Sequence, residues 1–275
     1  MAKPPTTLAD VLAVAEELWP LSGASEWDAP GLVTGDPAAV VSSIRLSVDA
    51  VAATVDEAIE AGADLLIAHH PLLLRGVTTV AEDRYKGAMI ARLIRAGCAL
   101  VSAHTNADVV ESGTSAVLAS RLGLVGAEPI VPGEVPTRGL GRVGRLERPV
   151  TLGRLASMLA ELLPATASGV RVAGDFEQPV RSVALCGGAG DSLLSEHAVL
   201  GADVYITSDL RHHPASEARE NARIAGGPAL IDVSHWASEW LWLESAAEGL
   251  RAALPGVSVS VSDVRTDPWD FVVMQ

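Results

Sequence analysis

"AGADLLIAHHP", residues 61–71, holds four apolar positions in a row between a glycine-terminated polar helix pattern and two adjacent histidines. A strand that is apolar at every position, without alternation, is what burial on both faces of a parallel sheet requires. Gly62 reads as the stop of the preceding helix "TVDEAIEAG". Pro71 biases His70 towards an extended backbone and has no N–H to donate, so the His pair sits on a stiff strand exit. Adjacent residues on a flat strand point apart, which suits two metals or a turn better than one ion.

The same helix, glycine and strand unit recurs on either side. Thr7 with Asp10 caps a helix ending near Pro20, "MIARLIRAG" stops at Gly97, and "TSAVLASRLG" stops at Gly123. Strands are expected at 44–48 ("IRLSV"), 64–68 ("DLLIA") and 98–103 ("CALVSA"). The alternation defines an α/β fold. From Glu128 to Gly144 the pattern lapses into "EPIVPGEVPTRGLGRVG", where a domain transition is placed. A second set follows in "TLGRLASMLAELLP", "VRSVALCGG", "LLSEHAVLGADVYIT" and "PALIDV", before a terminal helix and "GVSVSVSDV". "LGADVYITSDLRHHP" at 200–214 echoes 61–71 with an insertion before its histidines, which predicts two similar α/β lobes facing each other. The expected division is a first lobe from 1–128 plus 232–275, carrying the metal ligands, and a second lobe from 129–231.

Composition narrows the partners. The 275 residues carry 49% apolar and 20% charged side chains and a formal charge of -14, which argues against phosphate-driven nucleic-acid binding and for a small-molecule substrate. No leader pattern and no run of about 18 apolar residues occurs, so a cytoplasmic protein without a membrane partner is expected. Cys98 and Cys186 lie outside any CxxC spacing and read as reduced core residues.

Three strand exits carry histidine and carboxylate: His69 and His70, then His104 and Asp108 in "CALVSAHTNAD", then His235 and Glu239 in "PALIDVSHWASE". Ligand sites of open α/β sheets form at such exits, so a shared crevice is expected. His235 and Glu239, four apart, share a helical face behind the N-cap Ser234. His69, His70, Asp108, His235 and Glu239 are too many ligands for one ion and too few to saturate two. Imidazole and carboxylate donors without thiolate fit zinc, iron, manganese, cobalt or nickel. Two such divalent ions about 3.5–4 Å apart would keep positions for water and support hydrolysis. His104 either touches metal itself or orients Asp108 or a water beside it. His212 and His213 read as a solvated turn, with substrate contact across the cleft as the alternative, and His197 as a mid-helix residue without a signal. "CGGAGDSLL" is a Gly-rich turn from strand to helix lacking the P-loop lysine. Trp236 and Trp240 form a packing stripe beside the His235–Glu239 face, and Asp49 either supports the site or caps the next helix.

"HHP", "HTNAD" and "HWASE", with "GADVYITSD" and the early "EWDAPGL", resemble the Nif-three-like family of dinuclear metal-centre proteins, often labelled GTP cyclohydrolase type 2 homologues. The resemblance spans nearly the whole chain. It implies two α/β lobes flanking a cleft with two metal ions, assembled as a toroidal homohexamer, with ligands on His69, His70, Asp108, His235 and Glu239. The function it implies is metal-dependent hydrolysis of a small phosphorylated or heterocyclic molecule; the alternative is a non-catalytic metal-binding regulatory or interaction protein. Ala29 stands where the family commonly has asparagine after Trp-Asp, and the domain inserted in longer relatives has no room here.

Overall fold

The computed structural model describes residues 4–274. In chain order the elements are α1 (Leu8–Leu18), β1 (Gly31–Thr34), β2 (Ser43–Ser47), α2 (Ala52–Glu60), β3 (Leu65–Ala68), α3 (Tyr85–Ala96), β4 (Ala99–Ser102), the single turn α4 (Thr105–Asp108), α5 (Thr114–Arg121), β5 (Leu124–Glu128), β6 (Val131–Pro132) and β7 (Gly139–Leu140). They continue as β8 (Arg142–Thr151), α6 (Leu152–Leu162), β9 (Arg171–Ala173), β10 (Pro179–Ala189), α7 (His197–Leu200), β11 (Val204–Ser208), α8 (His212–Ala225), β12 (Ala229–Val233), α9 (His235–Ala253) and β13 (Ser258–Val261). Two compact units result: Met1–Ala107 with Leu243–Thr266, and Asp108–Trp242 with Asp267–Gln275. The sequence reading set its divisions after 128 and 231. Residues 108–128 belong with the second unit because α5 packs on β5, β8 and β10, all of that unit.

The first unit is built on a five-stranded sheet in the order β1-β4-β3-β2-β13, with β1 antiparallel to β4 and the other pairs parallel. All four residues of β3 are buried, as its unbroken apolar run predicts. Leu66, Ala68 and Leu100 pack with Val55 and Ala58 of α2 and Met89 and Leu93 of α3. Each such leucine stabilises the fold by roughly 1.5–3 kcal/mol through burial. The Thr7–Asp10 capping box starts α1, and Gly97, left-handed at φ 69°, ends α3.

The second unit holds a six-stranded sheet in the order β5-β8-β10-β11-β12-β9. β11 lies between β10 and β12 and runs parallel to both, and β5, β8 and β9 run antiparallel to the strands they pair with. Its core gathers Ala184, Cys186, Val199, Tyr205 and Leu230. Both cysteines are free and buried, as expected.

Three local expectations change. The passage from 128 to 144 contains β6, β7 and the start of β8, because Val143 and Gly144 pair with Ala184 and Val183 of β10 and the long strand tolerates its glycines. His212 and His213 open the 14-residue α8 rather than forming a turn. His197 is the first residue of the one-turn α7, preceded by the N-cap position Glu196, rather than a mid-helix residue.

Candidate metal centre

β3 and β4 are parallel neighbours with Ala68 opposite Ser102, so their exits emerge side by side within the first unit. His69 and His70 leave β3, and His104 leaves β4. The His69 and His70 amides still donate to Ser47 and Val48 carbonyls of the β2 side. The chain nonetheless bends at both residues. The two rings therefore converge instead of pointing apart, with centroids 5.1 Å from each other; His104 lies 5.2 Å from His69 and 5.5 Å from His70. One ligand nitrogen from each of the three lies within 4.8 Å of the other two.

The rings are oriented through Nδ1. That atom of His69 is 2.7 Å from the Ala103 carbonyl oxygen, that of His70 2.8 Å from Asp49 Oδ1, and that of His104 2.8 Å from Asp28 Oδ1. Carbonyl and carboxylate oxygens accept, so Nδ1 carries a proton, and a ring in its neutral form then has its lone pair on Nε2. Asp28 is itself held by the amide and hydroxyl of Thr105. Burial pushes its pKa up, but the hydrogen bonds from His104, Thr105 and the Ala29 amide outweigh that and keep the carboxyl below its ordinary value. Asp49 also accepts from the Thr266 hydroxyl.

A second cluster lies in the second unit. Ser234 accepts from the Ala237 amide at 3.2 Å, capping the start of α9. One helical turn then sets His235 Nε2 3.0 Å from Glu239 Oε1. His235 Nδ1 meets Asp209 Oδ2 at 2.7 Å. Burial lowers the pKa of His235, but the carboxylates of Glu239 and Asp209 overcome it and push the imidazole up to about 11. The site therefore attracts positive charge strongly. Asp209 reaches the ring from a left-handed backbone, φ 57°, a conformation that Asp tolerates better than most side chains. Gly188, at φ +72°, lines the same cluster: a Cβ there would collide with Glu239 Oε1 and lie 3.2 Å from His235 Nε2. Its amide donates to Ser238 Oγ at 2.9 Å.

Of the expected ligands, His69, His70, His235 and Glu239 fall among the metal-capable groups of the described residues, and Asp108 does not. His69 and His70 form the first cluster with His104, for which the sequence left both metal contact and an orienting role open. His235 and Glu239 form the second. Asp108 closes α4, where its Oδ1 accepts from the Thr114 hydroxyl at 2.5 Å. The Gly-rich stretch after Cys186 lies within β10 and provides the bare backbone at Gly188. Asp49 supports His70, and its carbonyl accepts from Thr54 at the start of α2. Asp209 and Asp28 had been given no orienting role. A signal for Asp209 existed: in the internal echo it occupies the place of His70.

The model of the Duf34/NIF3 (NGG1p interacting factor 3) family matches residues 6–268. The chain belongs to that family. A Streptomyces coelicolor protein described as a GTP cyclohydrolase 1 type 2 homolog is 47% identical over 269 residues, covering 95% of this chain and 93% of the relative. A Mycobacterium tuberculosis protein of the same description is 36% identical, covering 96% and 97%. Its alignment runs over 375 residues, longer than this chain, so this is the short form of the family. Among solved structures, a Bacillus cereus protein related to NIF3 superposes with TM-score 0.89 at 23% identity, over 98% of this chain and all of that one, and shows the fold. The Staphylococcus aureus protein SA1388 superposes at 0.88 with 27% identity, again over 98% and 100%. The two α/β units are thus the NIF3 fold, and the His and Glu groups have the composition of a metal site.

Proposed function

We propose that this NIF3 protein binds two divalent transition-metal ions per chain and uses them to hydrolyse a small phosphorylated or heterocyclic molecule. The observation that supports this most directly is the shared orientation of four histidines. In His69, His70, His104 and His235 an oxygen acceptor holds Nδ1 and turns Nε2 into the ligand position. His69, His70 and His104 would hold one ion. His235 with Glu239 would hold another, with Asp108 supplying a further carboxylate. The donor set, imidazole and carboxylate without thiolate, suits zinc, iron, manganese, cobalt or nickel. When bound, such ions polarise a phosphoryl or carbonyl oxygen and acidify water.

The chain's own part is orientation and charge. Asp28, Asp49 and Asp209 keep the Nδ1 protons in place and make each ring a better donor. Gly188 keeps space beside Glu239 and His235. The relatives' description as GTP cyclohydrolase homologues adds nucleotide ring hydrolysis to the candidate reactions. A non-catalytic, metal-binding interaction protein is the second reading, favoured by the family's description as an interacting factor. A cytoplasmic homohexamer completes the proposal.

The deciding experiment loads the protein with each metal, measures bound ion, and screens GTP, other nucleotides, phosphoesters and amides. Turnover abolished by chelation and restored by metal supports the hydrolase. Stable metal without turnover on any compound favours the interaction protein. No retained metal removes both readings.

A further inference from the structure

We propose that Trp27 is a stacking platform that selects ligands carrying a flat heterocyclic or aromatic ring at the histidine cluster of the first unit; this rests on the metal reading above. The indole is 63% exposed, whereas Trp19, Trp236 and Trp242 are buried. It stands against His104, with ring centroids 5.9 Å apart and planes at 79°. His104 in turn belongs to the trio with His69 and His70.

An exposed tryptophan on a loose loop would carry little meaning, but this one is anchored on both sides. The Asp28 amide donates to the Ser25 carbonyl at 3.0 Å, closing a turn around Trp27. The Ser25 amide donates to Thr105 Oγ1 at 2.9 Å. The Asp28 carboxylate, with no exposed side-chain surface, accepts from His104, the Thr105 amide and the Thr105 hydroxyl. The carboxylate that sets the His104 tautomer therefore also sets the position of the neighbouring indole. A ring held this way loses little entropy on contact with a ligand. A molecule whose reacting group sits at His69, His70 and His104 can lay a flat ring on the indole a few ångströms away. Ribose 5-phosphate and aliphatic phosphates lack a planar π surface to stack on it.

The test uses full-length, metal-replete protein and two kinds of probe that share a phosphorylated ribose. Adenosine, guanosine and cytidine 5′-monophosphates carry a ring; ribose 5-phosphate does not. By isothermal titration, wild type should bind at least one nucleotide about tenfold tighter than ribose 5-phosphate, the scale of one base stacked on one aromatic side chain. Trp27→Phe should keep most of that preference. Trp27→Leu, which retains apolar bulk without a ring, should erase it while metal content and thermal midpoint stay at wild-type values. Equal binding of ringed and ringless probes by wild type, or a preference that survives Trp27→Leu, overturns the platform and leaves the metal reading intact. A Trp27→Leu protein of lower mass by light scattering, with ring preference unchanged, would instead assign the indole to contact with another copy and likewise overturn it. Protein that retains no metal sinks the metal reading and this inference together.

Discussion

Gly188 shows how one residue can be dictated by a cluster it does not chemically join. Its φ of +72° and the collision of any Cβ with Glu239 leave glycine as the fitting residue. Gly188→Ala should cost about 1–3 kcal/mol from backbone strain and overpacking, and should reduce metal retained at His235 and Glu239. Gly62 is the control, since it has φ +66° but nothing within 4 Å of an added Cβ. Gly62→Ala should show only the backbone cost, about 1 kcal/mol, with metal content unchanged. Equal metal content in both variants would remove the cradle argument. Glu239→Gln keeps volume and removes charge; on a solvated helix face it would be tolerated within about 0.5 kcal/mol. As a buried ligand it should lose metal from at least one site, along with any hydrolytic rate. Asp209→Asn should weaken metal binding by about tenfold through the orientation of His235. Elemental analysis and competition with a chromogenic chelator read both; wild-type values in both variants would exclude the second cluster.

At the scale of elements, the internal echo is a repeated mechanical device. Asp64, just before β3, accepts from the amides of Ser42 and Ser43 and from the Ser42 hydroxyl. Asp203, just before β11, accepts from the amides of Arg181 and Ser182. Each "GAD" therefore pins its strand to the neighbouring parallel strand with a charge-assisted fork. For both, burial raises the pKa, but those hydrogen bonds more than offset it and the carboxyls lie below the ordinary 3.8. The sign follows: a depressed folded pKa gives stability that is present above 3.8 and fades as pH falls through the folded value. Asp64→Asn and Asp203→Asn should each lose about 1–2 kcal/mol at pH 7. The gap to wild type should close in acid below the folded pKa. Urea melts of the three proteins across pH 2–7 check this, and a gap that does not change with pH would contradict it.

For the molecule as a whole, the expectation is about two retained ions per chain after metal-replete purification, and an assembly of the chain with itself. Trp269, Phe271, Val272, Val273 and Met274 near the end of the second unit are all exposed, and apolar side chains exposed in succession are where such an assembly would make contact. Light scattering at micromolar concentration should give the mass of a hexamer; a monomer would remove the assembly. Among the described residues no helix is long and apolar enough to cross a membrane.

Periodicity and punctuation alone were enough for the α/β class, for β2, β3 and β4 within a residue or so, and for α1 with its Thr7–Asp10 box. These are local matters, in which a buried strand must be apolar and a helix must end where glycine permits. The i, i+4 pairing of His235 with Glu239 was equally local, set by helix geometry and the Ser234 cap. Three-dimensional packing was needed for the rest. His69 and His70 converge only because the chain bends at its exit from the sheet, and His104 joins them only because β4 lies beside β3. Asp28 reaches His104 across 76 positions of sequence, and Asp209 reaches His235 across 26. A carboxylate that orients a distant imidazole leaves no periodic trace, since its partner is chosen by strand order and backbone direction rather than by neighbouring residues.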